Sequence, residues 1–274
     1  MRPSIELRQI GVIAEKEFWD RVRNRWVLAV AAVFALFALA IAYLGAAQQG
    51  MVGFRGIEAT IASLVSLVIY LVPLIALILG YDAIVGERER GSLDLLLSMP
   101  LTRIELLLGK FVGLAFALAF STLAGFGLAG VVLSQQIGLA ALYHYATFVG
   151  SAIVLGLAFL SMAVALSVMA SDRVRASGIA IALWFFYVLV YDLLLLALLV
   201  VTEGRFDAAL FPVLLLLSPA DVFRILNLLG LDDLRQLYGL ATVFPKALAN
   251  IWLLAGVMLA WIVAPLGLAI WRFR

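Results

Sequence analysis

Six long apolar runs, separated by segments that hold nearly all the charge, leave this chain few folds to choose from. They are roughly Val27–Ala47, Ala59–Tyr81, Glu105–Leu133, Thr147–Ala170, Gly178–Val201 and Ala249–Trp271. A helix crosses the hydrocarbon core of a bilayer with about 20 mostly apolar residues, and every run reaches that length. Composition agrees: 66% of residues are hydrophobic, 13% are charged and the mean hydropathy is +1.15. An ordinary soluble domain is roughly 45–50% apolar and about 25% charged. The expected fold is all-α, one polytopic domain over residues 1–274 with six transmembrane helices. Met1–Glu6 carries no cleavable signal, so the first run is expected to stay in the membrane as an anchor.

Basic residues set the expected orientation. Of the 19 lysines and arginines, all but Arg55, Arg205, Arg224, Arg235 and Lys246 fall on the side of the chain ends. Both termini are therefore expected in the cytoplasm of a bacterium, with the protein in its inner membrane. No clustered basic face on a soluble domain exists to suggest nucleic acid.

Ahead of the first run, Ile10, Ile13, Phe18, Val22 and Trp26 recur at helical steps, with Lys16, Asp20, Arg21, Arg23 and Arg25 between them. This stripe predicts an amphipathic elbow helix within residues 1–26, started near Ser4 and lying against lipid headgroups. Residues 82–104 form a second polar segment. Four consecutive charges, Glu87 to Arg90, are too costly for hydrocarbon, so the second span must end before them. Gly91 permits a sharp turn, Leu93, Leu96 and Leu97 form a short apolar face, and Pro100 closes the element. That spacing predicts a short cytoplasmic helix packed on something apolar.

Residues 202–248 are too long and too apolar for a plain connection. Ser218-Pro219-Ala220-Asp221 reads as a helix start, and Val222, Phe223, Leu226 and Leu229 give it an apolar stripe. A second piece is expected at Leu234–Leu240. Two short lateral helices would then cap the outer mouth, resting on headgroups or receiving a periplasmic partner. Asp192 lies within the fifth span near Tyr187 and Tyr191; an acid there is a candidate for the translocation path, or for helix packing alone. Gly109 and Gly113 mark a close helix contact, either internal or at a dimer seam.

Chemistry-bearing residues are scarce. There is no cysteine, and His144 is the only histidine, flanked by Tyr143 and Tyr145 as in an aromatic belt. Met162 and Met169 lack companions for a copper site and read as core. No phosphate-binding Gly-x-x-x-x-Gly-Lys-Ser/Thr loop occurs. No catalytic residue, resident metal or bound cofactor is expected.

The run from Gly86 to Lys110, with Gly-Glu-Arg-Glu-Arg-Gly-Ser-Leu, Ser-Met-Pro-Leu-Thr-Arg and Leu-Leu-Gly-Lys, resembles the signature of ABC-2-type exporter permeases. Ala14-Glu15-Lys16-Glu17-Phe18 fits that family's opening as well. The resemblance implies a homodimer joined to a cytoplasmic ABC ATPase, which holds ATP and magnesium. It also implies that Glu87, Arg88, Glu89, Arg90, Gly91, Leu93, Asp94 and Leu97 couple to that ATPase. More narrowly, Ser218 to Arg224 resembles the permeases of nitrous oxide reductase maturation. This implies periplasmic assembly of a copper–sulfur centre, with an accessory protein docking on Asp221, Val222, Phe223 and Arg224. Export of a drug, lipid or polysaccharide is the alternative, as is mechanical transmission to a periplasmic partner with nothing carried across.

Overall fold

The computed structural model describes residues 6–44, 57–137, 140–202, 210–229 and 250–273. The described chain is helical, in the order α1 Leu7–Arg23, α2 Trp26–Leu44, α3 Ile57–Gly80, α4 Val85–Glu89, α5 Ser92–Leu97, α6 Arg103–Ile137 and α7 Ala140–Met169. There follow α8 Arg173–Phe185, a π-helical turn Phe186–Val190, α9 Tyr191–Val201, α10 Leu210–Leu216, α11 Pro219–Leu229 and α12 Ile251–Phe273. Among the described residues, six stretches are long and apolar enough to cross a membrane: α2, α3, α6, α7, α8–α9 together, and α12. They coincide with the six runs read from sequence. Ser4 and Leu234–Leu240 lie outside the described residues.

The spans are not equivalent. In α7, 78% of the spanning stretch is buried, against 6% for α8–α9. α7 packs on α3, α6 and α12 and forms the axis of the bundle, whereas α8–α9 lies at its edge. Inside lipid, apolar burial alone does not pull helices together; close packing and polar contacts do. Close packing is visible where Phe34 of α2 stacks on Phe126 of α6 at 4.9 Å and Phe126 meets Phe148 of α7 edge-on at 5.6 Å.

α1 lies along the first half of α6. A Cβ on Gly109 would stand 2.6 Å from Cβ of Ile13, and one on Gly113 would stand 2.5 Å from the Ala14 carbonyl oxygen. The glycine pair is therefore an internal seat for α1. The chain turns into α2 through Arg25, the one described non-glycine residue with a left-handed backbone (φ 57°).

α11 is the short helix expected from Ser218 onward, whereas α10 before it is unexpected; the two meet at 105° and α11 enters the bundle. It packs against α3, α7 and α12, with Val222 and Phe223 wholly buried. The Val222–Phe223 stripe thus faces neighbouring spans and not headgroups. Its expected cap forms: the Asp221 backbone N–H donates to Ser218 Oγ at 3.3 Å.

Candidate functional site

At the end of the bundle that carries both described chain ends, α3 gives way to α4 and α5. Gly91 adopts φ 71° between them, a conformation that costs a side-chain-bearing residue about 1–2 kcal/mol. The reversal lets α4 and α5 double back as one unit, and polar contacts fix that unit to α6, α7 and α8 and, through Lys110, to α1.

The first contacts come from the fourth and fifth spans. Ser167 Oγ of α7 accepts from the backbone N–H groups of Ile84 and Val85 at 2.9 and 3.0 Å. These are orphan donors at the start of α4. Arg88 reaches back to the end of α7 and donates to the carbonyls of Ala170 at 2.8 Å and Val168 at 3.2 Å, which are orphan acceptors there. Glu89 accepts from the Arg173 N–H at 2.7 Å, at the start of α8. The Arg173 guanidinium grips Asp82 with both arms, at 2.7 and 2.8 Å.

Lys110 of α6 makes the central contact. Its ammonium, 4% exposed as a residue, sits 2.5 Å from Glu17 of α1 and 3.1 Å from Glu87 of α4. Glu87 also accepts from the Ser92 hydroxyl of α5 and lies 3.6 Å from Arg90. One buried cation thus joins α1, the α4–α5 unit and the third span. Charges survive burial only when paired and hydrogen-bonded, and this set meets that condition. Thr102 and Glu105 close the arrangement with a reciprocal capping box at the start of α6: Glu105 N–H to Thr102 Oγ1 at 3.2 Å, and Thr102 N–H to Glu105 Oε2 at 2.7 Å. The other Glu105 oxygen accepts from the Glu6 N–H at 2.7 Å, anchoring the start of α1.

The coupling residues expected from sequence therefore divide. Leu93 is buried, and Leu96 and Leu97 pack partly on the core, so the predicted apolar face points into the protein. Glu87, Arg88 and Glu89 spend side-chain contacts on their own chain. Arg88 and Glu89 nonetheless stay exposed, as do Arg90, Gly91 and Asp94, together with Leu95 (67%) and Met99 (50%), which the apolar stripe did not single out.

At the opposite end the structure merges two other expected sites. Arg224 of α11 donates to Asp192 of α9 at 2.8 Å and to Asp221 at 2.6 Å. Tyr191 donates to the Leu214 carbonyl at 2.6 Å, and the Trp261 indole donates to that of Leu216 at 3.2 Å. Both bonds reach carbonyls in the last turn of α10, where that of Leu214 also accepts from the Leu217 N–H at 3.0 Å. Tyr187 lies edge-on to Trp261 at 5.7 Å. Asp192, Tyr187 and Tyr191 are thus engaged with the α10–α11 corner, and Asp221, Val222 and Phe223 are turned inward; Arg224 alone of that group keeps substantial exposure.

With this geometry in view, comparison with known proteins is direct. The model of the ABC-2 family transporter protein matches residues 12–274. The chain belongs to the ABC-2 family. It is 47% identical over 271 residues to the probable ABC transporter permease protein NosY of Pseudomonas aeruginosa, covering 97% of this chain and 98% of that one. Against the protein of the same name from Stutzerimonas stutzeri, identity is 46% over 275 residues, covering 98% and 99%. This ABC-2 chain is a multi-pass membrane protein and the permease subunit of an ABC transporter.

Sequence reasoning missed Glu17, Lys110, Glu105, Asp82 and Arg173 as a polar frame around the ABC-2 signature. Thr102-x-x-Glu105 was a readable signal, since that spacing is the capping box itself. Lys110 closing the Leu-Leu-Gly-Lys run was another, because a lysine following an apolar stretch on a span needs a partner. The identity of its partners was not readable.

Proposed function

We propose that α4 and α5 receive a cytoplasmic ABC ATPase and that the Lys110 joint passes its motion to the spans. The observation that carries this reading is the joint itself. A force on the exposed tip at Leu95 and Met99 acts on a unit tied to α1, α6, α7 and α8 at once. Packed cores and closed polar networks move as blocks, not as compliant material. ATP and magnesium belong to the partner; this chain supplies the seat and the lever.

On this reading both termini and α4–α5 face the cytoplasm of a bacterial inner membrane, in line with the basic residues gathered at that end. Two copies of the chain pair with two ATPases. The names of the relatives, and the resemblance around Ser218 to Arg224, extend the reading to nitrous oxide reductase maturation. There the assembly supports building of the periplasmic copper–sulfur centre with an accessory protein outside. A second reading, mechanical transmission without translocation, is favoured by α11: it is packed against α3, α7 and α12, so movement of the spans reaches the outer segment through solid contact.

The test uses the natural absence of cysteine. Met99→Cys and Asn250→Cys are placed singly in the chain, the ATPase is co-expressed, and a short thiol cross-linker is added. Cross-linking from residue 99 and none from residue 250 supports the seat and its orientation. The reverse pattern overturns both.

A further inference from the structure

Beside the ATPase seat, a cavity of about 520 Å³ opens between α5 and the ends of α7 and α12. Its polar lining includes three guanidinium groups, Arg88, Arg103 and Arg272, against a single carboxylate, Asp94; Leu97 and Met169 contribute apolar wall. Among the described residues Arg88 is hydrogen-bonded only to main-chain carbonyls, and no carboxylate there pairs with its charge. Arg103 stands 6.0 Å over the Phe273 ring, and among the described residues neither it nor Arg272 forms an ion pair. Arg103 also sits in the first turn of α6, where the helix dipole disfavours a cation. The cavity therefore gathers more positive charge than the described residues neutralise.

Its depth is fixed by the spans. Arg103 opens α6, Met169 closes α7 and Arg272 lies in the last turn of α12, so three membrane-crossing helices end around it. That level is the headgroup layer of the bilayer, whichever way the chain is oriented. A pocket there with a cationic rim and an apolar wall matches an anionic amphiphile, with its phosphate against the guanidinium groups and its glycerol and upper acyl chain against Leu97 and Met169.

We propose that this cavity binds the headgroup of an anionic phospholipid, and that a lipid held there braces α5 against α12. The inference does not depend on the ATPase seat; it needs only that α6, α7 and α12 cross the bilayer.

The experiment uses the full chain assembled with its ATPase in phosphatidylcholine nanodiscs carrying graded amounts of phosphatidylglycerol, with retained lipid counted by native mass spectrometry. Wild type should keep tightly held phosphatidylglycerol in preference to phosphatidylcholine. The R103A/R272A pair should weaken that retention on the order of 30-fold, about fivefold per arginine, while R103K/R272K keeps most of it. Arg272→Ala alone, at an exposed helix end, serves as the readout if the double variant fails to assemble, and should lose about fivefold. Displacement of the lipid by millimolar inorganic phosphate would show a site for free phosphate and overturn the lipid assignment. Retention unchanged in the alanine variants, or loss of ATPase binding with lipid retention intact, would overturn it as well, the latter by giving the arginines to the protein partner.

Discussion

The two ends of this permease each hold one cation between two carboxylates, and the pair behave differently. Lys110 lies between Glu17 and Glu87, with side chains 5%, 9% and 15% exposed. Arg224 lies between Asp192 and Asp221, and its side chain and that of Asp192 are 36% and 39% exposed. The Lys110 set draws on α6, α1 and α4. The Arg224 set draws two of its members from α11 itself, three residues apart. At the first end, serine and arginine neighbours complete the coordination of Glu87. At the second, Asp221 keeps one buried oxygen, Oδ2, without a hydrogen-bond partner. A closed, buried set joining three elements works as a rigid joint, and a half-open set joining two works as a latch that can let go.

Removing the cations should separate these cases most sharply. Lys110→Met leaves Glu17 and Glu87 facing each other without their cation, and breaking a buried pair in this way costs about 3–5 kcal/mol. Thermal unfolding in detergent should show a larger loss for this variant than for any of those that follow. A variant as stable as wild type would show that the joint is ornamental. Arg224→Leu should cost less, about 1–3 kcal/mol: Asp192 can turn toward solvent, and Asp221, 2% exposed and left without its cation, sheds its charge by taking up a proton. Equal losses in the two variants, read in the same assay, would erase the distinction between joint and latch.

Glycines on α6 sharpen the comparison within one helix. Gly113→Ala drives a Cβ against the α1 backbone, so it should destabilise by about 1–3 kcal/mol through overpacking. At Gly127 a Cβ would meet nothing within 4 Å, so alanine there should be accepted with a gain of up to about 1 kcal/mol. Unfolding midpoints that move in the same direction would contradict the placement of α1 on α6. The smallest effect is expected at Asp192. Asp192→Asn keeps most of the size and an acceptor for Arg224, and the loss in stability should stay below about 1 kcal/mol. If the latch must open during turnover, functional output should change in Asp192→Leu while expression persists. Full activity in both variants would leave Asp192 with a packing role only.

Much of this architecture is legible in the sequence alone. Six spans follow from hydropathy, since lipid demands apolar length, and the turn at Gly91 and the cap at Ser218 follow from backbone chemistry. The directions of the short apolar faces do not. In a membrane protein an apolar stripe is at home against either lipid or neighbouring helices, so the Leu93–Leu97 face and the Val222–Phe223 stripe give no sign that both turn inward. Nor can spacing reveal that Lys110 meets Glu17, 93 residues earlier, and Glu87, 23 residues earlier. Periodicity places a residue on a face of its own helix and is silent about what lies opposite. For the same reason the sequence does not show that Glu87 is enclosed by Lys110, Ser92 and Arg90: a lysine replacing it would face Lys110 with a like charge and should destabilise the fold as well as any coupling.

The central claim is that seating the ATPase and transmitting its motion are separate properties, the first at the Leu95–Met99 tip and the second at Lys110. Glu87→Gln tests it most directly, because it weakens the joint from the α4 side while leaving the tip and the Lys110–Glu17 pair in place. The measurement is paired: ATPase co-purified with the permease, and copper–sulfur centre loaded into nitrous oxide reductase in the same cells. The account predicts ATPase recovery equal to wild type with loading reduced about tenfold or more, the loss expected if roughly 1.4 kcal/mol of coupling is removed. Full loading with Glu87→Gln, or loss of the ATPase itself, would contradict it.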